Sequence, residues 1–272
     1  MNKSNESEKS RGIIVFAFNT NKVDYVGIAD KTSAIANKTL GLPITLVTDH
    51  DSQPQFEYDN VIRVDNSKLN GRPTITGEMS QWRNFDRYMA YKLSPYDETL
   101  LVDIDYLILD NSLLKLFETE FDYKLMFNSI SPDRQMSTDM GVRSLDFVWA
   151  TVVLFRKTPK AKIYFDLIGR IQRNYAYYKT LYGCLGTYRN DFAFGIANHI
   201  INGYISDKKL GIPWRMITFD DFVKSIELKN NLLLVRESNR CVVTPIQNLH
   251  IMDKKYLASD QFKKFTQELL NV

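Results

Sequence analysis

Two carboxylates interrupt an apolar stretch of the chain, LLVDIDYLIL at Leu100–Leu109. Burying an ionised carboxylate in such a run is costly unless a cation pairs with it. Residues two apart in a strand point to the same face, so Asp103 and Asp105 could both reach one divalent ion. Carboxylate oxygens are ligands that suit Mn²⁺ and Mg²⁺. The alternative interpretation is structural: Asp105 begins a turn, and Asp103 accepts hydrogen bonds from the backbone or from an arginine.

The elements that must position these carboxylates follow from the apolar pattern. Continuous apolar runs predict strands at Gly12–Phe18, Ile44–Asp49, Val61–Val64, Thr99–Ile104, Tyr123–Phe127 and Phe147–Phe155. Helical spacing predicts helices at Val23–Leu40, Met79–Leu93, Ala161–Tyr178, Asp191–Ile201 and Ser259–Leu270. In the last third, Leu232–Val235 and Arg240–Val243 predict a hairpin, and Leu249–Met252 a further strand. The DxD therefore comes at the carboxyl end of a buried strand in an α/β chain, which is where open α/β sheets bind ligands.

The composition is that of one large globular domain: 272 residues, 44% of them hydrophobic and 25% charged. We expect a single domain over residues 11–272 behind a disordered polar tail at residues 1–10. Thirty-five basic and 32 acidic residues leave a net charge of +3, which neither demands nor excludes a polyanionic partner. The apolar run Ile13–Phe18 is far shorter than the ~20 residues of a membrane span. We therefore expect a cytoplasmic protein without a membrane span, in which Cys184 and Cys241 are buried free thiols.

A second pattern precedes the DxD. Arg87 is followed by the helical stretch YMAYKLSP and then by Tyr96 and Asp97, and it lies 16 residues before Asp103. This arrangement resembles the donor site of the glycosyltransferase A fold, most closely the glycogenin-like and lipopolysaccharide galactosyltransferase-like group. The resemblance implies a Rossmann-like, mixed but mainly parallel sheet flanked by helices. It also implies metal-dependent transfer of a hexose or pentose from a nucleotide-diphosphate sugar, UDP-sugar foremost, to an acceptor hydroxyl.

The same families take a third metal ligand from a histidine on a late strand. The matching segment is NLHIMDKKYL, in which His250 follows Asp105 by 145 residues. The resemblance therefore implies Mn²⁺ or Mg²⁺ held by Asp103, Asp105 and His250, with Lys254 and Arg87 near the diphosphate. The family's glycine and Lys-Pro pair are missing from this segment, which leaves Lys255 as an alternative to Lys254. A histidine packed at the end of an apolar strand is the structural alternative for His250.

The resemblance also implies where the nucleotide lies. Phe18, Asn19 and Thr20 are expected to present backbone and side-chain groups to the base, Tyr25 to stack on it, and Asp49 to accept from base or ribose. The alternatives are local: Tyr25 packs at a helix start, and Asp49 belongs to an exposed turn. Neither a GxGxxG motif nor a Walker lysine loop occurs in the sequence, which disfavours dehydrogenase and P-loop interpretations.

A late acidic position completes the predicted site. The segment YRND, ending at Asp191, resembles the acidic helix start of these families. Asp191 is therefore expected to be a catalytic base or a sugar-binding residue, and Asp105 is expected to contribute to catalysis through the metal. The alternative for Asp191 is an ordinary helix cap.

Basic and aromatic residues follow one another just before and along the predicted helix at 161–178. A nucleic-acid surface requires such a mixture, although a solvated helix face has the same composition. These residues are Arg156, Lys157, Lys160, Lys162, Arg170, Arg173, Tyr175, Tyr177 and Tyr178. The chain is also similar, more loosely, to glycosyltransferases of tailed bacteriophages, which makes a hydroxylated base of phage DNA a candidate acceptor beside a saccharide. Two other functions stay open: a nucleotidyltransferase, although FNTNK replaces its glycine-rich loop, and a non-catalytic protein that binds nucleic acid or a partner.

Overall fold

The computed structural model describes residues 9–65, 70–73, 79–132, 134–136, 139–140, 145–205, 208–219 and 222–271. Residues 1–8 of the predicted tail lie outside this range. The strands are β1 (Arg11–Phe16), β2 (Ile44–Thr48), β3 (Asn60–Arg63), β4 (Asn70–Pro73), β5 (Met79–Trp82), β6 (Glu98–Val102), β7 (Tyr106–Leu107), β8 (Tyr123–Met126), β9 (Ser129–Ser131), β10 (Arg134–Gln135), β11 (Asp139–Met140), β12 (Leu145–Asp146), β13 (Trp149–Arg156), β14 (Met216–Phe219), β15 (Val223–Lys229), β16 (Leu232–Glu237), β17 (Cys241–Pro245) and β18 (Leu249–Ile251). The helices are α1 (Tyr25–Leu40), α2 (Ala90–Leu93), α3 (Leu114–Phe117), α4 (Pro159–Arg173), α5 (Tyr175–Tyr182), α6 (Asn190–Ile201), α7 (Lys254–Ala258) and α8 (Asp260–Asn271).

The largest sheet has the order β3-β2-β1-β6-β13-β8. Its first four strands are parallel, whereas β13 runs antiparallel to both of its neighbours. β2 and β6 are buried along their whole length, as their continuous apolar sequences predict. Helix α1 packs against α7 and α8, and α4 packs against α6. The predicted fold class, a mixed and mainly parallel α/β sheet flanked by helices, is confirmed.

A second sheet meets the first where β6 ends. Its order is β10-β9-β14-β18-β7, with β14 and β18 parallel to each other and β18 antiparallel to β7. Strand β7 follows the DxD directly, so Asp103 and Asp105 lie in the link between the two sheets. Within the pair β18–β7, His250 lies opposite Tyr106. This pairing brings a residue from the end of the chain next to the DxD.

The predicted helix at Met79–Leu93 is wrong over most of its length. The segment forms β5, a 3-10 turn at Arg87–Met89 and the short helix α2. Gln172 of α4 donates through Nε2 to the Phe85 carbonyl at 2.8 Å and to Asp86 Oδ1 at 2.9 Å. These long-range bonds hold residues 85–86 outside a helix, against their apolar spacing.

Other predictions agree more closely with the structure. The predicted hairpin is β16–β17, and β15 adds a third strand to it. The helix predicted at Ala161–Tyr178 is divided at Asn174, whose Nδ2 donates to the Arg170 carbonyl at 2.9 Å. Cys184 and Cys241 are both free, but only Cys184 is buried, because Cys241 begins the exposed strand β17. None of the helices that the structure describes has both the length and the apolar character needed to cross a membrane.

Candidate active site

The two aspartates of the DxD point to different partners. Strand β6 ends at Val102, and the Tyr106 N–H donates to the Asp103 carbonyl at 3.1 Å, which turns the chain between the sheets. The prediction that Asp103 and Asp105 share one face of a strand is therefore wrong. The residues on both sides of the DxD are apolar, as in a continuous strand, so the sequence pattern did not indicate this turn.

Asp105 contacts a lysine and a histidine from late in the chain. The Lys254 ammonium group forms an ion pair with Oδ2 of Asp105, and the His250 Nε2 lies 3.4 Å from the same oxygen. Asp105 and His250 are 7% and 5% exposed, so these contacts take place in a largely dry environment. Lys255 is exposed, and its backbone N–H donates to Asp253. Of the two candidate lysines, the structure therefore brings Lys254 to the DxD.

The charge around Asp105 favours its ionised form. Burial by itself would raise the pKa of this carboxyl group, but the positive charges of Lys254 and His250 and their hydrogen bonds have the larger effect. The pKa of Asp105 therefore lies well below its usual value. An ionised carboxylate is the form that ligates a metal ion.

His250 is oriented by a chain of hydroxyl groups. Its Nδ1 lies 3.2 Å from Oγ1 of Thr218, which in turn lies 2.7 Å from Oγ of Ser129. The Trp149 ring packs edge to face against the imidazole, with centroids 6.2 Å apart. These contacts fix the ring so that Nε2 faces Asp105, which is the orientation that a metal-ligating histidine needs.

Arg87 supports the other aspartate. Its guanidinium forms an ion pair with Oδ1 of Asp103, and Nδ2 of Asn84 donates to the same oxygen at 3.4 Å. Arg87 is 1% exposed. Burial lowers its pKa to about 10, against the effect of the Asp105 and Asp191 carboxylates, so the group stays a cation at neutral pH. The resemblance had placed Arg87 near the diphosphate, whereas its direct contact here is with Asp103.

Asp191 is the second residue of α6, but its side chain does not cap that helix. Its Oδ1 accepts the Ala150 N–H at 3.0 Å, and its Oδ2 accepts from Nε and a terminal nitrogen of Arg189 at 3.1 and 2.9 Å. The negative charge of Asp191 also raises the pKa of Arg87, against the effect of burial. The residue therefore belongs to the same charged cluster as the DxD.

The fit of a divalent ion can be judged from Asp105 and His250. Adjacent ligands in the shell of such an ion lie about 3 Å apart, since each bond measures about 2.1 Å, and the 3.4 Å between Oδ2 and Nε2 is close to this. Among the described residues, Oδ1 of Asp105 has no hydrogen-bond partner although it is buried. Asp103 is turned to Arg87, and within the described part of the chain no group of three or more His, Cys, Asp and Glu side chains forms a ready metal site. The spacing of Asp105 and His250 therefore fits an ion, although the Lys254 ammonium group also contacts Oδ2 of Asp105.

A cleft lies beside the ends of β1 and β2, where the nucleotide is predicted. Its volume is about 170 Å³, and its lining is mostly apolar. The lining residues are Phe16, Phe18, Val47, Val64, Asp65, Arg83, Asp86, Met89 and Leu93. Of the predicted nucleotide-binding residues, Phe18 thus lines the cleft. Arg83 and Asp86 flank Asn84, so the cleft adjoins the residues that bind Asp103.

The remaining predicted nucleotide-binding side chains have local partners. Oδ1 of Asn19 accepts the Val26 N–H of α1 at 2.8 Å, and Oγ1 of Thr20 accepts the N–H of Val23 at 3.1 Å. Tyr25 is partly buried and packs against the core.

Asp49 at the tip of β2 is bound within the protein as well. Its Oδ1 accepts from Oγ of Ser52 at 2.6 Å, and its Oδ2 lies 3.3 Å from a terminal nitrogen of Arg83. Asp49 is therefore less exposed than the alternative interpretation assumed. Its ion pair with Arg83 links it to the rim of the cleft.

Several site residues were not predicted. Asn84 and Arg83 lie just before Arg87, in the segment RNFDR. The many polar residues of this segment were the feature of the sequence that could have indicated further site residues. Asn190 donates to the Asn84 carbonyl at 2.8 Å and was adjacent to the predicted Asp191. Thr218 lies in a short strand without any motif, so no sequence signal identified it.

The predicted basic face is only partly available for a partner. Arg156 is bound to Glu98 and lies over the Phe121 ring, Lys157 contacts the Tyr91 carbonyl, and Lys162 pairs with Asp166. Tyr178 is buried. Lys157 and Lys162 stay exposed despite these contacts, and the other exposed residues of the face are Lys160, Arg170, Arg173 and Tyr177.

Comparison with known proteins gives structural likeness alone. No protein-family model matches the chain, and no curated protein sequence matches it. Among solved structures, the chain is similar to the glycosyltransferase GlyE of Streptococcus pneumoniae TIGR4, with 13% identity and a TM-score of 0.42. It is also similar to an active-site mutant of LgtC, with 14% identity and a TM-score of 0.48 over 78% of this chain and 74% of that one. The alignment covers 76% of this chain and 46% of GlyE, so the chain spans less than half of that protein's length.

Proposed function

We propose that this protein is a metal-dependent glycosyltransferase that moves a sugar from a nucleotide-diphosphate sugar, UDP-sugar foremost, to an acceptor hydroxyl. The observation that carries the proposal is the contact of Asp105 with His250 and Lys254. These residues were selected from the sequence by their resemblance to a donor site, although they are separated by about 145 residues. If the resemblance in sequence were accidental, there would be no reason for these three residues to be in contact in the fold.

Asp105 and His250 would hold Mn²⁺ or Mg²⁺, with Asp103 as the third predicted ligand. When bound there, the ion would offset negative charge on the leaving diphosphate. The Lys254 side chain is 27% exposed and places a further positive charge beside Asp105. From there its ammonium group can donate to a phosphate oxygen. Arg87 and Asn84 hold the Asp103 carboxylate in place.

Asp191 is proposed to orient the sugar. Both of its oxygens already accept hydrogen bonds, from Ala150 and Arg189, which favours a positioning role over that of a proton acceptor. The cleft lined by Phe16 and Phe18 would take the nucleobase, because its apolar walls suit a planar ring. The acceptor hydroxyl would then approach the anomeric carbon from the side of α6.

A hydroxylated base of phage DNA is our proposed acceptor, ahead of a saccharide. The support is the exposed part of the basic face, where Lys160, Arg170 and Arg173 stand with Tyr177. Reversing the charge of Lys160 and Arg170 together should flatten the salt dependence of DNA binding by about two phosphate contacts. An unchanged slope would exclude this face and favour a saccharide acceptor.

A thermal-shift panel of nucleotide sugars, with and without Mn²⁺, tests the donor half of the proposal. A ligand at a hundred times its dissociation constant adds about 2.7 kcal/mol, which corresponds to about 5–10 °C for a domain of this size. We expect such a shift with one nucleotide sugar, and only in the presence of Mn²⁺.

Two matched variants make the result specific. Asp105→Asn should abolish the Mn²⁺-dependent shift, whereas Asp166→Asn, which changes an exposed aspartate of α4, should keep it. A shift with nucleoside triphosphates alone would indicate the nucleotidyltransferase. Absence of any shift, together with DNA binding, would indicate the non-catalytic alternative.

A further inference from the structure

Lys254 contacts the oxygen of Asp105 that faces the predicted histidine ligand. Its ammonium group lies beside Oδ2 of Asp105, and the same oxygen faces Nε2 of His250 at 3.4 Å. A metal ion that binds His250 and Oδ2 of Asp105 would have to come within about 2.1 Å of that oxygen. The ammonium group and such an ion would then be two cations held at one oxygen.

The burial of Asp105 makes it unfavourable for Lys254 and a metal ion to bind its carboxylate at the same time. The Asp105 side chain is 11% exposed, so solvent does little to screen two cations beside it from one another. The Lys254 side chain is 27% exposed, and the other bond of its ammonium is to the Met252 carbonyl at 3.3 Å. Lys254 is the first residue of α7, so its side chain can swing without moving a helix interior.

A diphosphate gives the ammonium group another partner. Its oxygens carry more negative charge than a single carboxylate, and they would lie at the edge of the site to which Lys254 is partly exposed. Once the ammonium turns to a phosphate, Oδ2 of Asp105 becomes available to an ion held also by His250. Binding of the diphosphate and binding of the metal ion would then favour each other, because each requires Lys254 to leave Asp105.

We infer that Lys254 and a divalent ion compete for Asp105, and that a nucleoside diphosphate relieves the competition by drawing Lys254 away. This inference rests on the proposed donor site. Metal and diphosphate should therefore bind with positive cooperativity. Because the coupling is reciprocal, Mn²⁺ must raise the affinity for the diphosphate by the same factor as the diphosphate raises the affinity for Mn²⁺.

The test is a titration of Mn²⁺ into the full chain, with free Mn²⁺ measured by electron paramagnetic resonance, in the presence and absence of UDP. For the wild-type protein we expect UDP to tighten Mn²⁺ binding at least tenfold. Lys254→Met keeps the unbranched shape and most of the length of the side chain and removes its charge. It should bind Mn²⁺ alone at least tenfold more tightly than the wild type, and UDP should add less than threefold.

The controls separate the possible failures. Lys255→Met, which changes the exposed neighbour, should behave as the wild type does. Lys254→Gln is the second variant if Lys254→Met fails to fold, and the same gain in affinity is expected. Equal Mn²⁺ affinity of wild type and Lys254→Met, with UDP still tightening both, would overturn the competition and leave the proposed function intact. Absence of Mn²⁺ binding in every variant, with or without UDP, would overturn both.

Discussion

Arg87 and Asp103 form an ion pair in which the guanidinium is almost completely buried, whereas the carboxylate side chain is 28% exposed. Arg87 also donates to the Thr151 carbonyl of β13 at 3.4 Å, and the N–H of Asp103 donates to the same carbonyl at 2.9 Å. The arginine therefore joins the 3-10 turn to β13 beneath the DxD. It is a structural support of the site as well as a part of its charge.

Replacing Arg87 should destabilise the protein. Arg87→Met removes one member of a buried pair, which typically costs about 3–5 kcal/mol. We expect a loss near the lower end of this range, because Asp103 retains some contact with water. Urea denaturation measures the change in the free energy of unfolding. A loss below about 1 kcal/mol would show that the pair does not hold the site together.

The stability of the protein should depend on Asp105 in a definite window of pH. The folded-state pKa of Asp105 is lowered, so at pH below about 4 the unfolded chain takes up a proton that the folded chain does not. The stabilisation from the ionised group is complete above pH 4 and declines as the pH falls below it, by at most about 1.4 kcal/mol per pH unit.

Comparison with Asp105→Asn isolates this contribution. The difference in free energy of unfolding between wild type and variant should be constant from pH 5 to pH 4 and should narrow between pH 4 and pH 2.5. Urea titrations at each pH give both values. A difference that stays constant down to pH 2.5 would contradict the lowered pKa.

The sequence predicted the sheet well because its central strands are buried on both faces. β2 and β6 are buried along their whole length, and most of their residues are apolar. The contact of Asp105 with His250 also followed from the sequence, but only through a family resemblance, since nothing local links residues that are so far apart.

The failures came from contacts over long distances in the chain. Gln172 prevents a helix at residues 85–86, and the apolar spacing there contains no sign of it. The role of Asn19 at the base stays a prediction, but the sequence did not indicate that its side chain accepts the N–H of Val26. Such a bond depends on how the loop before α1 folds back, which residue types alone do not specify.

Thr218 should tune metal binding without touching the metal. Its Oγ1 lies 3.2 Å from Nδ1 of His250 and sets the direction of the ring. Thr218→Val keeps the shape of the side chain and removes that bond, so Mn²⁺ affinity in the presence of UDP should fall about 10–100-fold. Titration calorimetry measures the change. Ser129→Ala leaves the bond between Thr218 and His250 in place and should have a smaller effect, so an equal loss in both variants would assign the effect to packing.

Filling the cleft should block the nucleotide. Val64 follows β3 and lines the cleft beside Phe16 and Phe18, so Val64→Trp would place an indole where the base is proposed to lie. We expect the affinity for UDP to fall at least tenfold, equivalent to about 1.4 kcal/mol, with little change in melting temperature because Val64 is only partly buried.

Val61 provides the matched control for this variant. It lies in β3, is 39% exposed and is absent from the cleft lining. Val61 and Val64 are three positions apart, which directs the two side chains to opposite faces of an extended chain. Val61→Trp should therefore bind UDP as the wild type does. Equal affinities of the two tryptophan variants, measured by calorimetry with Mn²⁺ present, would show that the base lies outside this cleft. Loss of binding in Val64→Trp alone would locate the base between β1 and the segment that carries Asn84, next to the partner of Asp103.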